Sequence, residues 1–252
     1  MVDLVAILGL GFILGIRHAT DPDHVVAVTA IVSRERSVRS AVAIGVSWGL
    51  GHAVTVLLAG GAIVLFGIVV PPRVGLSMEM AVAALLVVLG AANLTGALES
   101  IHRHAHSGAL GSIHRRAHSG ALGRARAAAR AEPGGSLRWF GRGQTLRPLL
   151  VGLVHGLAGS AAISLLVLAT IHDAKWALVY LLVFAVGTVL GMVLLTLGMA
   201  GPIVKAAGFS ASAERALVRG TGLLSLAFGL FMAYRVGVAD GLLVGAPHWS
   251  PR

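Results

Sequence analysis

Apolar residues in this chain fall into runs about as long as the 20 or so residues a helix needs to cross about 30 Å of hydrocarbon. Neither the two-residue alternation of a half-buried strand nor the one-sided stripe of a soluble helix organises them. Six runs stand out: Val2 to Val32, Ser40 to Val70, Ser77 to Leu98, Leu149 to Ile171, Trp176 to Val204, and Ala216 to Tyr234. The pattern predicts an all-α, polytopic bundle of six membrane spans. The first run is too long for one straight span and suits a span interrupted by unwound backbone. Pro71-Pro72 closes the second run, and Gly60-Gly61 is expected to bend it.

Composition supports the membrane reading. Hydrophobic residues make up 56% of the chain and charged residues 12%, about half the share of soluble domains, which leaves too little polar surface to cover a soluble fold. The 34 glycines fit spans better than soluble helices. Met1-Val2-Asp3 has no basic region and Ile16-Arg17-His18 is a poor cleavage site, so the first run is expected to stay as a span rather than act as a signal peptide. No GxxxxGK[ST] motif occurs, which excludes nucleotide hydrolysis through a P-loop. With no cysteine in the chain, soft-metal chemistry must rest on imidazole and carboxylate.

The net charge of +10 has a topological origin. Nine of the 20 basic residues lie between Glu99 and Arg147 with no nucleic-acid recognition motif, so no nucleic-acid partner is expected. That segment, Arg34, Arg36 and Arg39, and Lys205, Arg215 and Arg219 all fall on one side of a six-span topology, against Arg73, Lys175, Arg235 and Arg252 on the other. Positive charge is retained in the cytoplasm, which puts both termini outside the plasma (inner) membrane and the central loop inside. The organisation expected is a three-span half over residues 1–98, a loop over 99–147, a second three-span half over 148–236, and a tail over 237–252. Around Ser47 the first half reads SWGLGHAVTVLLAG and around Gly187 the second reads GTVLGMVLLTLG, aligning Gly51 with Gly191 and His52 with Met192. Because three is odd, repeated halves would be inverted in the membrane.

The central segment carries a tandem duplication, IHRHAHSGALGS from Ile101 and IHRRAHSGALGR from Ile113, with His102, His104, His106, His114 and His118. Without apolar periodicity it is expected to form no packed core. It reads either as a solvated duplication or as a weak metal-collecting arm on the cytoplasmic side.

Chemistry concentrates in the first run, where Arg17-His18-Ala19-Thr20-Asp21-Pro22-Asp23-His24 forms an HxxxxDH arrangement. A charged residue at a span centre costs about 2.5–3.5 kcal/mol on insertion scales, so such a group must face a cavity, pair, or bind an ion. On a regular helix His18 and His24 would point about 120° apart. Pro22 disfavours helix at Asp21, and a break there turns both imidazoles and a carboxylate toward one point and frees carbonyls that could also coordinate. The bland alternative is a turn in which Asp21 caps the next helix and pairs with Arg17. His52, about 18 Å into the second span, and His155, about 9 Å into the fourth, weigh against it by their depth. Neutral imidazoles with a carboxylate suit divalent nickel, cobalt, copper or zinc. The candidate metal residues are therefore His18, Asp21, Asp23, His24, His52 and His155. Gly11 and Gly15, and Gly187 and Gly191, have the spacing for close helix approach. Met78, Met80, Met192 and Met199 read as core residues before ligands.

RHATDPDH, GLGHAV and VHGLAGSAA together resemble the nickel/cobalt transporter family, in its shorter six-span branch associated with urease and hydrogenase maturation. The likeness covers the membrane portion and excludes the His-rich loop. It implies metal coordination by His18, Asp23 and His24 with His52 nearby, and Ni²⁺ or Co²⁺ as the transported ion with no tightly bound cofactor. It also implies metal-delivery or maturation proteins as partners beside the lipid bilayer. A divalent-metal permease, not an enzyme, is the leading expectation. Related efflux proteins carry a similar loop, which keeps export as an alternative. A membrane metal sensor or an intramembrane metalloenzyme is a further reading; HExxH is absent and no glutamate stands near the motif to act as base.

Overall fold

The computed structural model describes residues 4–35, 37–68, 70–95, 142–156, 171 and 173–248. The five histidines of the duplicated segment lie outside them. Every regular element among the described residues is helical: α1 Leu4–His18, α2 Pro22–Val32, α3 Val38–Phe66, α4 Pro72–Thr95, α5 Arg142–His155, α6 Ala174–Phe209, and α7 Ala211–Tyr234 with a π-helical turn at Arg235–Ala239.

Local chemistry sets the helix ends. The Ser37 hydroxyl accepts from the Ser40 N–H to start α3, the Asp173 carboxylate accepts from the Lys175 N–H to start α6, and the Ser210 hydroxyl accepts from the Ala213 N–H to start α7. Gly67, at φ 60°, closes α3 in the left-handed conformation that glycine adopts without cost, and Pro72 opens α4. Among the described residues, four helices are long and apolar enough to cross a membrane, at Val38–Phe66, Pro72–Thr95, Ala174–Ala206 and Ser212–Ala239; Val5–His18, Pro22–Val32 and Thr145–His155 are shorter and apolar. Large side chains such as Ile13, Leu58, Val88 and Leu223 point outward, as lipid-facing residues do, and the chain is an integral membrane protein.

Close helix approach through small residues organises the bundle. α1 lies beside α6, α3 lies between α5 and α6, and α4 pairs with α7, while α2 packs among α4, α6 and α7. The two predicted glycine stripes meet each other. A side chain at Gly15 would run into the Phe184 carbonyl and stand 2.8 Å from the Thr188 nitrogen, and one at Gly191 would stand 2.7 Å from Ala19 Cβ. The α3–α5 contact is built alike, with Gly51 against Leu149 and Leu153, and Gly152 against Trp48. Residue numbers rise together along both contacts, so α1 runs parallel to α6 and α5 parallel to α3. Along α3 and α6 they run oppositely, from Gly45 beside Thr196 to Gly60 beside Leu181.

Two expectations change on contact with the fold. α3 passes through Gly60-Gly61 as one continuous helix, because Gly60 takes the Leu181 side chain of α6 where a bend would open a gap. α5 begins at Arg142, several residues before the apolar run, since a helix can continue past the hydrocarbon into water. Polar ties fix α2 to α4: Arg34 Nε donates to Asn93 Oδ1 at 2.7 Å, and Asn93 Nδ2 donates to the Ala30 carbonyl at 2.8 Å. These bonds hold the helix that carries His24.

Candidate metal site

The first run breaks where Pro22 directs. α1 ends at His18, Asp21 is extended at φ −60° and ψ 146°, and Pro22 occupies the first turn of α2. The chain between the helices closes in tight turns, with Thr20 N–H donating to the Arg17 carbonyl at 2.9 Å and Asp21 N–H to the His18 carbonyl at 3.1 Å. The cluster at this break is built from side chains. Asp21 stands at the cap position of α2 but its side chain makes no capping bond; its carboxylate lies 2.9 Å from His18 Nδ1 instead.

The break brings His18 and His24 together, and α3 delivers His52 to the same point. The rings of His18 and His24 are 4.9 Å apart, His18 and His52 4.9 Å, and His24 and His52 5.1 Å, with one ring nitrogen from each lying within 4.8 Å of the others. All three are buried. A second grouping of the same kind joins Asp21, Asp23 and His24. From α5, His155 also approaches His24: its ring is 5.2 Å from that of His24, and its Nε2 is 3.9 Å from Asp23 Oδ2.

The carboxylates assign the proton positions. Asp21 accepts from His18 Nδ1, and Asp23 Oδ1, 3.1 Å from His24 Nδ1, accepts from that nitrogen. With Nδ1 protonated, the neutral ring keeps its lone pair on Nε2, as in carboxylate–histidine–metal arrangements. His18 Nε2 then accepts from His52 Nε2–H at 2.9 Å, leaving a lone pair on His52 Nδ1. His24 Nε2, His52 Nδ1 and both nitrogens of His155 are buried without a side-chain hydrogen-bond partner among the described residues. Buried polar atoms are seldom left so. The groupings gather imidazole nitrogens and carboxylate oxygens that could hold a metal ion, a donor set that suits divalent transition metals.

All six predicted residues therefore converge, with Asp21 the most exposed member at 31% of its side chain. Aromatic walls escaped the sequence reading. Trp48 stacks on His24 at 6.0 Å and meets His155 edge-on at 5.3 Å, while Phe184 lies 5.6 Å from His18. The available signal was spacing, since Trp48 stands one helical turn before His52 and shares its face.

Comparison with known proteins gives one close likeness. The chain is 34% identical over 241 residues to the urease accessory protein UreH of Bacillus sp. (strain TB-90), covering 96% of each chain. No family model matches it, and no solved structure does.

Proposed function

Because this chain belongs to the nickel/cobalt transporter family, in the branch of the urease accessory protein UreH, we propose that it is a permease carrying Ni²⁺ or Co²⁺ into the cytoplasm through the histidine cluster between its helices. It is a transporter, not an enzyme. The observation that carries the proposal is the convergence of His18, His24 and His52, buried and within 4.8 Å of one another, with carboxylates on the far nitrogens of His18 and His24. Such a set binds a divalent ion while keeping its protein charge low, as a site inside a membrane requires. Asp21 and Asp23 fix ring orientation and balance the charge of the ion, and Asp23 Oδ2 remains available as an oxygen ligand. Inward movement suits an accessory role in metalloenzyme maturation, where delivery proteins would receive the ion in the cytoplasm.

Six spans are the topology we assign, with α1 and α2 counted as one broken span and α5 opening the fourth. Both termini lie outside and residues 99–147 lie inside. Two inverted halves, 1–98 and 148–236, follow from the way α1 on α6 is matched by α5 on α3. The binding break at the middle of the bundle is the place where such transporters hold their cargo.

The test is uptake of radioactive nickel and cobalt by cells expressing the chain. Wild-type protein is expected to raise accumulation over cells lacking it, and His18→Ala, inserted at the same level, to return it to background. Accumulation unaltered by His18→Ala would reject the permease reading.

A further inference from the structure

We infer that the cluster holds two overlapping metal stations rather than one, and that His155, with Asp23 and His24, forms the second, which takes the ion from the His18–His24–His52 station. The inference rests on the permease reading and extends it to the order in which ligands act.

His155 stands outside the three-histidine grouping but beside its most central member. The His24 ring is flanked by His18 at 4.9 Å and by His155 at 5.2 Å. On the His155 side Asp23 Oδ2 stands 3.9 Å from Nε2, while Asp23 Oδ1 serves His24. That separation is too long for a hydrogen bond. Both nitrogens of His155 are buried without a side-chain hydrogen-bond partner among the described residues. A fully buried imidazole, edge-on to Trp48 and 3.9 Å from a carboxylate oxygen, is arranged to share a cation with that carboxylate.

Packing supplies an independent observation. Gly15-Ile16-Arg17-His18 ends α1, and Gly152-Leu153-Val154-His155 ends α5, so each histidine follows its contact glycine by three residues. Gly15 abuts Phe184 and Thr188 of α6, and Gly152 abuts Trp48 of α3. Gly187 of α6 meets the backbone of Phe12, just as Gly51 of α3 meets the backbone of Leu149, each three residues before the contact glycine of its helix. His18 and His155 are thus equivalent positions in two like helix pairs, both brought against His24. The two pairs meet where α3 and α6 pack antiparallel, and rocking one pair against the other there would open first one histidine and then the other. His24, adjacent to both, hands the ion across by exchanging one imidazole partner for another. No covalent or redox step is involved.

The two histidines should therefore separate in their effects. The experiment uses the full chain with His102, His104, His106, His114 and His118 replaced by alanine, so that the bundle is read alone. Nickel binding to purified protein and nickel uptake into proteoliposomes are measured for this background and for added His18→Ala or His155→Ala. His18→Ala is expected to lower affinity and uptake together, by at least about tenfold each, the lower end of the range for altered metal sites. His155→Ala is expected to leave affinity within about twofold while lowering uptake at least about tenfold. His155→Gln, which preserves volume better, gives the same two readings where the alanine protein is recovered poorly. Equal loss of affinity in the His18 and His155 variants would make His155 an ordinary ligand of one site, and wild-type uptake in the His155 variants would remove it from the path; either overturns the inference. If His18→Ala transports normally, the permease reading itself fails, whereas normal transport in the His155 variants alone leaves that reading standing.

Discussion

His24→Ala is expected to abolish high-affinity nickel binding and transport together, with affinity falling by more than the roughly 10–100-fold typical of removing a group that only supports a ligand. The expectation follows from position. His24 is the only residue common to both ligand groupings, it has His18, His52 and His155 rings around it, and its Nε2 lone pair is unspent. Deletion also strips Asp23 Oδ1 of its hydrogen bond, so loss of folded protein could masquerade as loss of binding. His24→Gln separates the two, because its amide can still donate to Asp23 while a neutral amide is a far poorer nickel ligand. The measurement is nickel binding to purified, monodisperse protein of each variant. A stable His24→Gln protein with wild-type affinity would remove His24 from the site.

Gly152→Val should be the most damaging single change outside the ligands. A Cβ at that position would collide with the Trp48 carbonyl and come within 2.6 Å of the indole ring. Overpacking of this kind costs about 1–3 kcal/mol where the neighbour can shift. Here the offending atoms include backbone, which cannot swing away. Trp48 would have to move, and it stacks on His24 and meets His155, so the site should loosen with the fold. Gly198→Ala provides the control, since no atom lies within 4 Å of a side chain there and alanine is the better helix former by about 1 kcal/mol. Thermal unfolding in detergent is expected to drop sharply for Gly152→Val and to stay level or rise for Gly198→Ala. Equal stability of Gly152→Val and wild type would mean that α3 and α5 do not approach as described.

How far the sequence discloses the site depends on whether the relevant forces are local. Pro22 breaks the first run by its own stereochemistry, so the convergence of His18 and His24 was legible without any knowledge of the neighbours. The glycine spacing of α1 and α6 was legible for a similar reason, since small residues four apart make a flat face whatever covers it. What covers a face is another matter. Gly60-Gly61 looked like a bend, and Leu181 of α6 makes it a docking surface on a continuous helix. Asp21 looked equally able to cap α2 or to bind an ion, and its contact with His18 Nδ1 depends on how the three residues between them turn. The gap between His155 and Asp23 is set by the packing of α5 on α3, far apart in sequence from the motif. Trp48 escaped because an apolar aromatic in an apolar helix carries no mark of what its face will touch.

The central claim is that imidazoles from α1, α2 and α3 hold the ion inside the bundle, and nickel-edge X-ray absorption tests it most directly. The sample is the full chain with the five loop histidines replaced by alanine, purified and loaded with one equivalent of nickel. The account predicts a nitrogen and oxygen shell with the outer-shell scattering of several imidazole rings, no sulfur, and loss of one ring's contribution in His52→Ala. A shell of oxygen ligands without imidazole scattering, or a spectrum that His52→Ala leaves unaltered, would contradict it.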